Sequence, residues 1–353
     1  MAKVLDDTGL SFDDVLLVPR RSTIGSRFNG DIDMSVELLP GLTLKYPVIS
    51  ANMDTCTGEV MTNKMNELGC LGIPHRFLKI RHHIEMLKEV NGNKVACIGV
   101  GEAGLERLKR IIIADPNIKN VLIDIAHGHS DVMINQIERI RVEFPDIGII
   151  AGNVATYDGA LGLLNAGAHA IKVGVGPGSL CSTRIQTGNG IPQLTAIIEC
   201  RKAIDDFCNN NDTKFRPTLI ADGGIRYSGD IVKSLAAGAN SVMVGSLFAG
   251  TTEAPGPRTR SNNKLVKCYR GMASRAAQES WKGHATSIEG EMTFLDYKGD
   301  VEDIFNELLS GMLSGMSYQN AHSIEELQEN ATFIRQTPVG LLESKPHALF
   351  KGG

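Results

Sequence analysis

A (β/α)8 barrel of the α/β class is the fold that this chain predicts, and three observations predict it. Eight short, near-continuous apolar runs recur along the sequence, the pattern of parallel strands covered on both faces. Amphipathic stretches of helical period separate them. Leu164-Asn-Ala-Gly-Ala-His-Ala-Ile-Lys-Val-Gly174 is echoed by Leu235-Ala-Ala-Gly-Ala-Asn-Ser-Val-Met-Val-Gly245, each reading as a helix end, a glycine cap and a strand that stops at glycine. Repeated βα units over about 250 residues make one barrel. A doubly wound open sheet is the alternative. No predicted strand runs through G-x-G-x-x-G directly into a helix, so the dinucleotide fingerprint of that fold is absent.

The predicted strands are 47–52, 71–75, 94–100, 120–126, 148–153, 170–175, 218–222 and 241–244. Between them, Leu105, Leu108 and Ile112 mark one helix face, and Met133, Ile137, Ile140 and Phe144 another. The strand ends carry the chemistry. The first ends in Ser50-Ala-Asn-Met-Asp54 and the second in His75-Arg76. The fourth gives Asp124, His127 and His129, and the fifth Gly152-Asn153. The sixth opens into 174–181, the seventh into Asp222-Gly-Gly224 and the eighth into Gly245-Ser246. Barrel active sites are built on that face, often with a phosphate held by the last two loops. Residues 251–300 break the βα rhythm. They are long, polar and irregular, which predicts an active-site flap. A helical pattern resumes after Asp303, and 332–353 reads as an extended C-terminal arm.

Composition narrows the function. The chain has 353 residues, 42% hydrophobic and 22% charged, with a net charge of −4, which gives no basis for general affinity for nucleic acid or for a membrane surface. No apolar run approaches the ~18 residues of a membrane span. Its seven cysteines show no C-x-x-C spacing, which argues for reduced thiols, and the polar, acidic start is unlike a signal peptide. The expected compartment is the cytoplasm.

The segment Gly174-Val-Gly-Pro-Gly-Ser-Leu-Cys-Ser-Thr-Arg-Ile-Gln-Thr-Gly-Asn-Gly-Ile-Pro-Gln193 stands out. Its glycines let backbone N–H groups approach an anion, and Cys181 sits in a polar loop three residues from Arg184. The loop reads either as a phosphate cradle that presents a nucleophile or as a tight turn with an inert cysteine.

Taken with Phe12-Asp-Asp-Val-Leu-Leu-Val-Pro19, Ala51-Asn-Met-Asp54, Asp124-Ile-Ala-His-Gly-His129, Ala151-Gly-Asn153, Ala221-Asp-Gly-Gly-Ile225 and Tyr269-Arg-Gly-Met272, that segment resembles the IMP dehydrogenase/GMP reductase family over essentially the whole chain. The resemblance implies a purine 5′-nucleotide substrate (GMP or IMP), a nicotinamide cofactor (NADPH or NAD) and a homotetramer. No regulatory CBS-domain insert follows the second strand, so a single catalytic domain over 1–353 is expected. The flap lacks the Arg-Tyr pair with which dehydrogenases activate water, and Ala51-Asn-Met-Asp-Thr55 is also reductase-like. Tyr269-Arg-Gly-Met272, Ser323-Ile-Glu-Glu-Leu-Gln-Glu-Asn-Ala331 and Gly340-Leu-Leu-Glu-Ser-Lys-Pro-His347 look like a dehydrogenase, and Arg76 replaces the family's usual lysine.

The reading that results is a GMP reductase of purine salvage, with a dehydrogenase that converts IMP and NAD to XMP as the alternative. A catalytically silent nucleotide-binding barrel is a second alternative. By the resemblance, Cys181 is the covalent nucleophile, with Thr183 and Glu289 as its proton relay. Ser50, Met53, Ser179, Asp222, Gly224, Gly245, Ser246, Tyr269, Gly271 and Met272 bind substrate. Asp124, Asn153 and Gly174 face the cofactor. Carbonyls of Gly176, Gly178 and Cys181 hold a monovalent cation, K+.

Overall fold

All eight predicted strands form, and in the computed structural model of the chain they run parallel around a barrel. Residues 4–5, 8–27, 30–286 and 288–346 are described. The strands are β1 (Val48–Ser50), β2 (Leu71–Gly72), β3 (Ala96–Ile98), β4 (Asn120–Asp124), β5 (Gly148–Val154), β6 (Ala170–Val173), β7 (Thr218–Asp222) and β8 (Ser241–Val244). Their spatial order is β2-β1-β8-β7-β6-β5-β4-β3, so β8 lies beside β1 and the order is cyclic. Among the described residues, ladders join every neighbouring pair except β2 and β3. The observed strands are mostly shorter than the apolar runs. Ile73 is as fully buried as Leu71 yet lies beyond the end of β2, because the chain turns there toward the polar strand-end loop.

Parallel strands need crossovers, and helices supply them. The first five are α1 (Glu59–Glu67), α2 (Ile80–Lys88), α3 (Gly101–Ala114), α4 (Asp131–Glu143) and α5 (Tyr157–Asn165). On α4, Met133, Gln136, Ile137 and Ile140 are buried, the spacing of one face turned to the sheet. After β6 come a short helix α6 (Thr183–Thr187) and the long α7 (Gln193–Asn210); α8 (Ser228–Ala236) follows β7 and α9 (Ser246–Ala249) follows β8. Ile49, Leu71, Val121, Ile150, Ile171, Ile220 and Val242 are all completely buried, one from each of seven barrel strands.

Two expectations are corrected. The flap is not irregular. It holds β9 (Thr259–Ser261), β10 (Lys264–Arg270) and β11 (Met292–Asp296) in one antiparallel sheet, with helix α10 (Arg275–Lys282) between β10 and β11. Asn262 and Asn263, both at positive φ, make the tight β9–β10 turn, a role that asparagine tolerates. Ser274 caps α10 by accepting from the Ala277 N–H at 3.2 Å, and Gly283 ends it in the left-handed conformation. Lys267, 2% exposed, ties the sheet down by donating to the carbonyls of Thr251 and Ala254.

The C-terminal arm is likewise not simply extended. After α11 (Val301–Tyr318) and α12 (Ile324–Asn330), strand β12 (Phe333–Arg335) pairs antiparallel with Val15–Leu17. Helix α13 (Pro338–Glu343) then begins with a Thr337 cap and a proline in its first turn, two start signals visible in the sequence. Residues 347–353 of the expected arm lie outside the described residues.

The packing of α1 on β2 yields a stability prediction. A Cβ on Gly72 would lie 2.3 Å from Thr62 Cα, so helix and strand must separate to admit it. Gly72→Ala is expected to cost about 1–3 kcal/mol, the usual penalty of overpacking. Chemical denaturation measures it, and an unchanged midpoint would contradict the close approach.

Candidate active site

One cavity of about 750 Å³ lies at the C-terminal ends of the strands, and both the strand-end loops and the flap line it. The segments after β6, β7 and β8, with the flap, contribute Ser179, Gly223, Gly224, Gly245, Ser246 and Tyr269. Tyr269 is 4% exposed, and burial pushes its phenol up to about 12, against a hydrogen bond from Ser179. A Cβ on Gly245 would stand 2.8 Å from the Tyr269 hydroxyl, so that hydroxyl lies against the start of α9. These segments offer hydroxyl groups and glycine backbone. The nearby Arg226 is committed to Asp13 through hydrogen bonds of 3.0 and 2.6 Å.

Cys181 is the exposed one of the cysteines, whereas Cys56, Cys70, Cys97 and Cys200 are buried and Cys208 and Cys268 partly so. Burial pushes the Cys56 thiol up to about 11 and that of Cys97 to about 12, which makes them poor nucleophiles. The Cys181 Sγ lies 3.2 Å from Thr183 Oγ1, which in turn donates to Glu289 Oε2 at 2.9 Å. Cys181 comes from the loop between β6 and α6, and Thr183 is the first residue of α6. Glu289 comes from the flap, on the segment between α10 and β11.

Backbone pairing fixes that meeting. Ser182 N–H donates to the Glu289 carbonyl at 3.1 Å, Glu291 N–H to that of Leu180 at 2.9 Å, and Glu289 N–H to that of Ala273 at 3.2 Å. Gly290 bridges both Cys181 and Ser274. Residue 174 at the root of the loop must be glycine. Its φ is +151°, and a Cβ there would stand 2.1 Å from the Asp222 carbonyl oxygen. Below it, the Gln193 amide donates to the Val173 carbonyl at 2.9 Å and to that of Asp222 at 3.3 Å, joining the ends of β6 and β7.

Arg76 and Phe77 after β2, Asp124 of β4, Asn153 of β5, Gly174 after β6, and Trp281 and Lys282 of α10 line the cavity too. Its floor is a charge cluster. Lys172 of β6, 3% exposed, pairs with Asp124 of β4 at 2.9 Å and with Asp222 of β7 at 2.6 Å. Burial alone would raise Asp124; Lys172, Arg76 and a hydrogen bond from Asn52 outweigh it and hold the carboxyl below its ordinary range. Burial alone would lower the Lys172 amine, and the two carboxylates outweigh it and raise it. Asn153 donates to Asp222 at 2.9 Å and to the Gly174 carbonyl at 2.8 Å, while its Oδ1 is buried without a partner.

Most residues singled out from the sequence therefore line a single cavity. Ser50 does not. It is completely buried, and its hydroxyl accepts from Thr57 at 2.9 Å. Gly271 lines the wall, but its N–H donates to the Glu291 carbonyl and its own carbonyl accepts from the Ser274 N–H, both at 2.9 Å. The sequence reading missed Lys172. The signal was present: in the internal echo its counterpart is Met243, so a lysine replaces an apolar residue within a buried strand. Gln193, quoted only as the end of a motif, was missed as a brace.

A family model described as IMP dehydrogenase / GMP reductase domain matches residues 9–347. The inosine-5′-monophosphate dehydrogenase of Nitrosopumilus maritimus is 33% identical over an alignment that covers 96% of this chain and 98% of that protein. That of Bacillus subtilis is 32% identical, covering 96% and 95%. Among solved structures, GMP reductase from Trypanosoma brucei in complex with guanosine 5′-monophosphate matches with a TM-score of 0.89 and 27% identity over 98% of both chains.

The charge cluster generates a pH prediction. Lys172→Met leaves two carboxylates facing one another with no ammonium between them, a change expected to cost about 3–5 kcal/mol. In the wild type the depressed Asp124 contributes stability that is complete above its unfolded value of about 4 and is lost as pH falls through the lower folded value. In the variant Asp124 instead favours its neutral form, so melting temperature should rise as pH falls from about 7 to about 5. Parallel melting curves for the two proteins over that range would refute the cluster's role.

Proposed function

The chain belongs to the IMP dehydrogenase/GMP reductase family, and on that premise we propose that it reduces GMP to IMP with release of ammonia, in cytoplasmic purine salvage. The observation that carries this reading is the wall the flap presents to the thiol. From Ala273 to Asp296 the described flap residues that line the cavity are Ala273, Gln278, Trp281, Lys282, Thr286 and Glu289, with neither an arginine nor a tyrosine among them to activate water. What stands beside the thiol is a proton relay from Glu289 through Thr183, the device that a poor leaving group such as an amine requires.

On this reading the Cys181 sulfur adds to C2 of the purine, and its proton passes to Thr183 and Glu289. The relay then returns a proton to the C2 amino group. Ammonia departs and a thioimidate bond to Cys181 remains. Ser179, Gly224, Gly245, Ser246 and Tyr269 hold the 5′-phosphate, Asp222 accepts from the ribose, and Met53 and Met272 pack on the base. NADPH, held on the side of Asp124, Asn153 and Gly174, would supply the hydride for C2, and Cys181 would be the group displaced, as its thiolate. The cavity fits such a group: Asp124 and Asn153 line it together with Cys181, and Asn153 Oδ1 is a buried acceptor without a partner. A potassium ion suits the carbonyl oxygens of Gly176, Gly178 and Cys181, hard donors on one loop. The proposed assembly is a homotetramer.

The IMP dehydrogenases that align along almost the whole chain support a second reading, oxidation of IMP to XMP with NAD. Purified protein discriminates the two. Given GMP, the first reading expects loss of reduced-nicotinamide absorbance and release of ammonia; steady formation of XMP from IMP and NAD, with no reaction of GMP, would replace it with the second. Cys181→Ser should abolish turnover in either direction and leave mononucleotide binding intact. Glu289→Gln should slow ammonia release by about 10²–10⁴-fold, the range for loss of a general acid. Wild-type rates in either variant would remove the covalent mechanism.

A further inference from the structure

We propose that Asp54 and Arg270 are positioning residues, an ion pair behind the cavity wall that latches the flap to the barrel and sets both the methionines at the base and the seat of Glu289. The inference rests on the mononucleotide reading above and gives a role to two residues that the reading left unused. Asp54 follows Met53 in the loop after β1, and Arg270 is the last residue of β10 on the flap. Their neighbours Met53, Tyr269 and Met272 line the cavity, and they themselves do not. The Asp54 side chain is 10% exposed and that of Arg270 20%. Arg270 Nε donates to Asp54 Oδ2 at 3.1 Å, and Nη2 donates to the same oxygen. The third nitrogen, Nη1, donates to the Ala276 carbonyl at 3.1 Å, in the first turn of α10.

One guanidinium thus holds two elements at once, and each leads to a part of the site. The arm to Asp54 governs the base wall. Around it, Asp54 N–H approaches Met272 Sδ at 3.4 Å, Arg270 N–H donates to Thr55 Oγ1 at 3.2 Å, and the Tyr269 hydroxyl lies 3.9 Å from Met53 Sδ. Barrel loop and flap strand therefore meet in register just behind Met53 and Met272. The arm to Ala276 governs the relay. It fixes the start of α10 against β10, and the turn between them presents the Ala273 carbonyl that accepts from the Glu289 N–H at 3.2 Å and from the Gln278 side chain at 2.9 Å. An ion pair is a poor way merely to stick two surfaces together, because burying two charges offsets most of their attraction. Apolar side chains would do that at less cost, but their attraction has no direction. The planar fork of an arginine on a carboxylate fixes distance and angle together, which is what a wall that must meet a flat base and a relay requires.

GMP affinity, measured by calorimetry, and kcat at saturating nucleotide read the two arms separately. Asp54→Asn and Arg270→Gln should each weaken GMP about tenfold, within the coupling range of contacting residues. Each should also lower kcat about 10–100-fold, the cost of a small misplacement of a reacting group. Arg270→Lys keeps a cation for Asp54 and has no second arm for Ala276, so affinity should return to near the wild-type value while kcat stays low. The double variant Asp54→Asn/Arg270→Gln should lose no more than the worse single variant, because its second substitution removes a contact already broken. The lysine variant and the neutral double variant bury no unpaired charge and carry the test if a single variant fails to fold. A purely structural pair lowers the melting temperature and leaves kcat and affinity of the folded enzyme unchanged, and that result overturns the latch. So do losses in the double variant equal to the product of the single ones, and an Arg270→Lys variant that recovers both parameters or neither. If the wild type leaves GMP unreacted and oxidises IMP, the reductase reading falls, and the same split measured with IMP upholds or overturns the latch.

Discussion

Lys172 between Asp124 and Asp222 is the constraint on which the mouth of the barrel depends. Three charges from β4, β6 and β7 converge where the strands end, and each is reachable by the others only if the strands stand in this order and register. Taking them out of water is costly, and the cost is offset only because the pairing is close and the remaining atoms are engaged. Asn52 reaches Asp124 from the loop after β1, and Asn153 reaches Asp222 from β5. The cluster thereby links five of the eight strand ends into one polar floor, in which a single ammonium faces two carboxylates.

That floor positions the reactive loop. Gly174 passes within contact of the Asp222 carbonyl, and Gln193 ties the same carbonyl to the end of β6. The loop therefore leaves the barrel in one direction, with the Cys181 thiol at the surface of the cavity. Chemistry is then completed from outside the barrel. Glu289 arrives on a flap whose own sheet is held by a buried lysine, and the Cys181–Gly290 pairing seats it next to Thr183. On the proposed mechanism the relay is thus a meeting of two elements, a thiol on the barrel and an acid on the flap.

The elements differed in how plainly the sequence showed them. The eight strands were legible because each is apolar on both faces, and a run such as Ile-Ile-Ala at 149–151 has no other comfortable place in a soluble protein. The flap was not, because β9, β10 and β11 are half exposed and charged, and their pairing is between segments with no shared periodicity. The small turn signals that were present, Asn262-Asn263 and Ser274, are too common to define a sheet by themselves. Cys181 stood out by its loop, and Thr183 by its nearness to Cys181. Glu289 was tied to them only through a family motif, since a single glutamate in a polar stretch has no local mark.

The sequence by itself determined the barrel, the strand ends that line its cavity and the loop that brings an exposed thiol to it. These follow from local composition: apolar strands, polar strand ends and a glycine-rich loop each reveal themselves within about ten residues. Only the tertiary structure decided which polar groups face the cavity. Ser50 and Asp222 occupy similar places at strand ends, yet one is sealed behind Thr57 and the other lines the floor. Likewise, only folding brings Lys172 to its two carboxylates, Glu289 to Thr183 and Trp281 to Phe77. A side chain's partner across the barrel depends on strand order, tilt and loop path, which are properties of the closed sheet and leave no trace in the residues on either side of it.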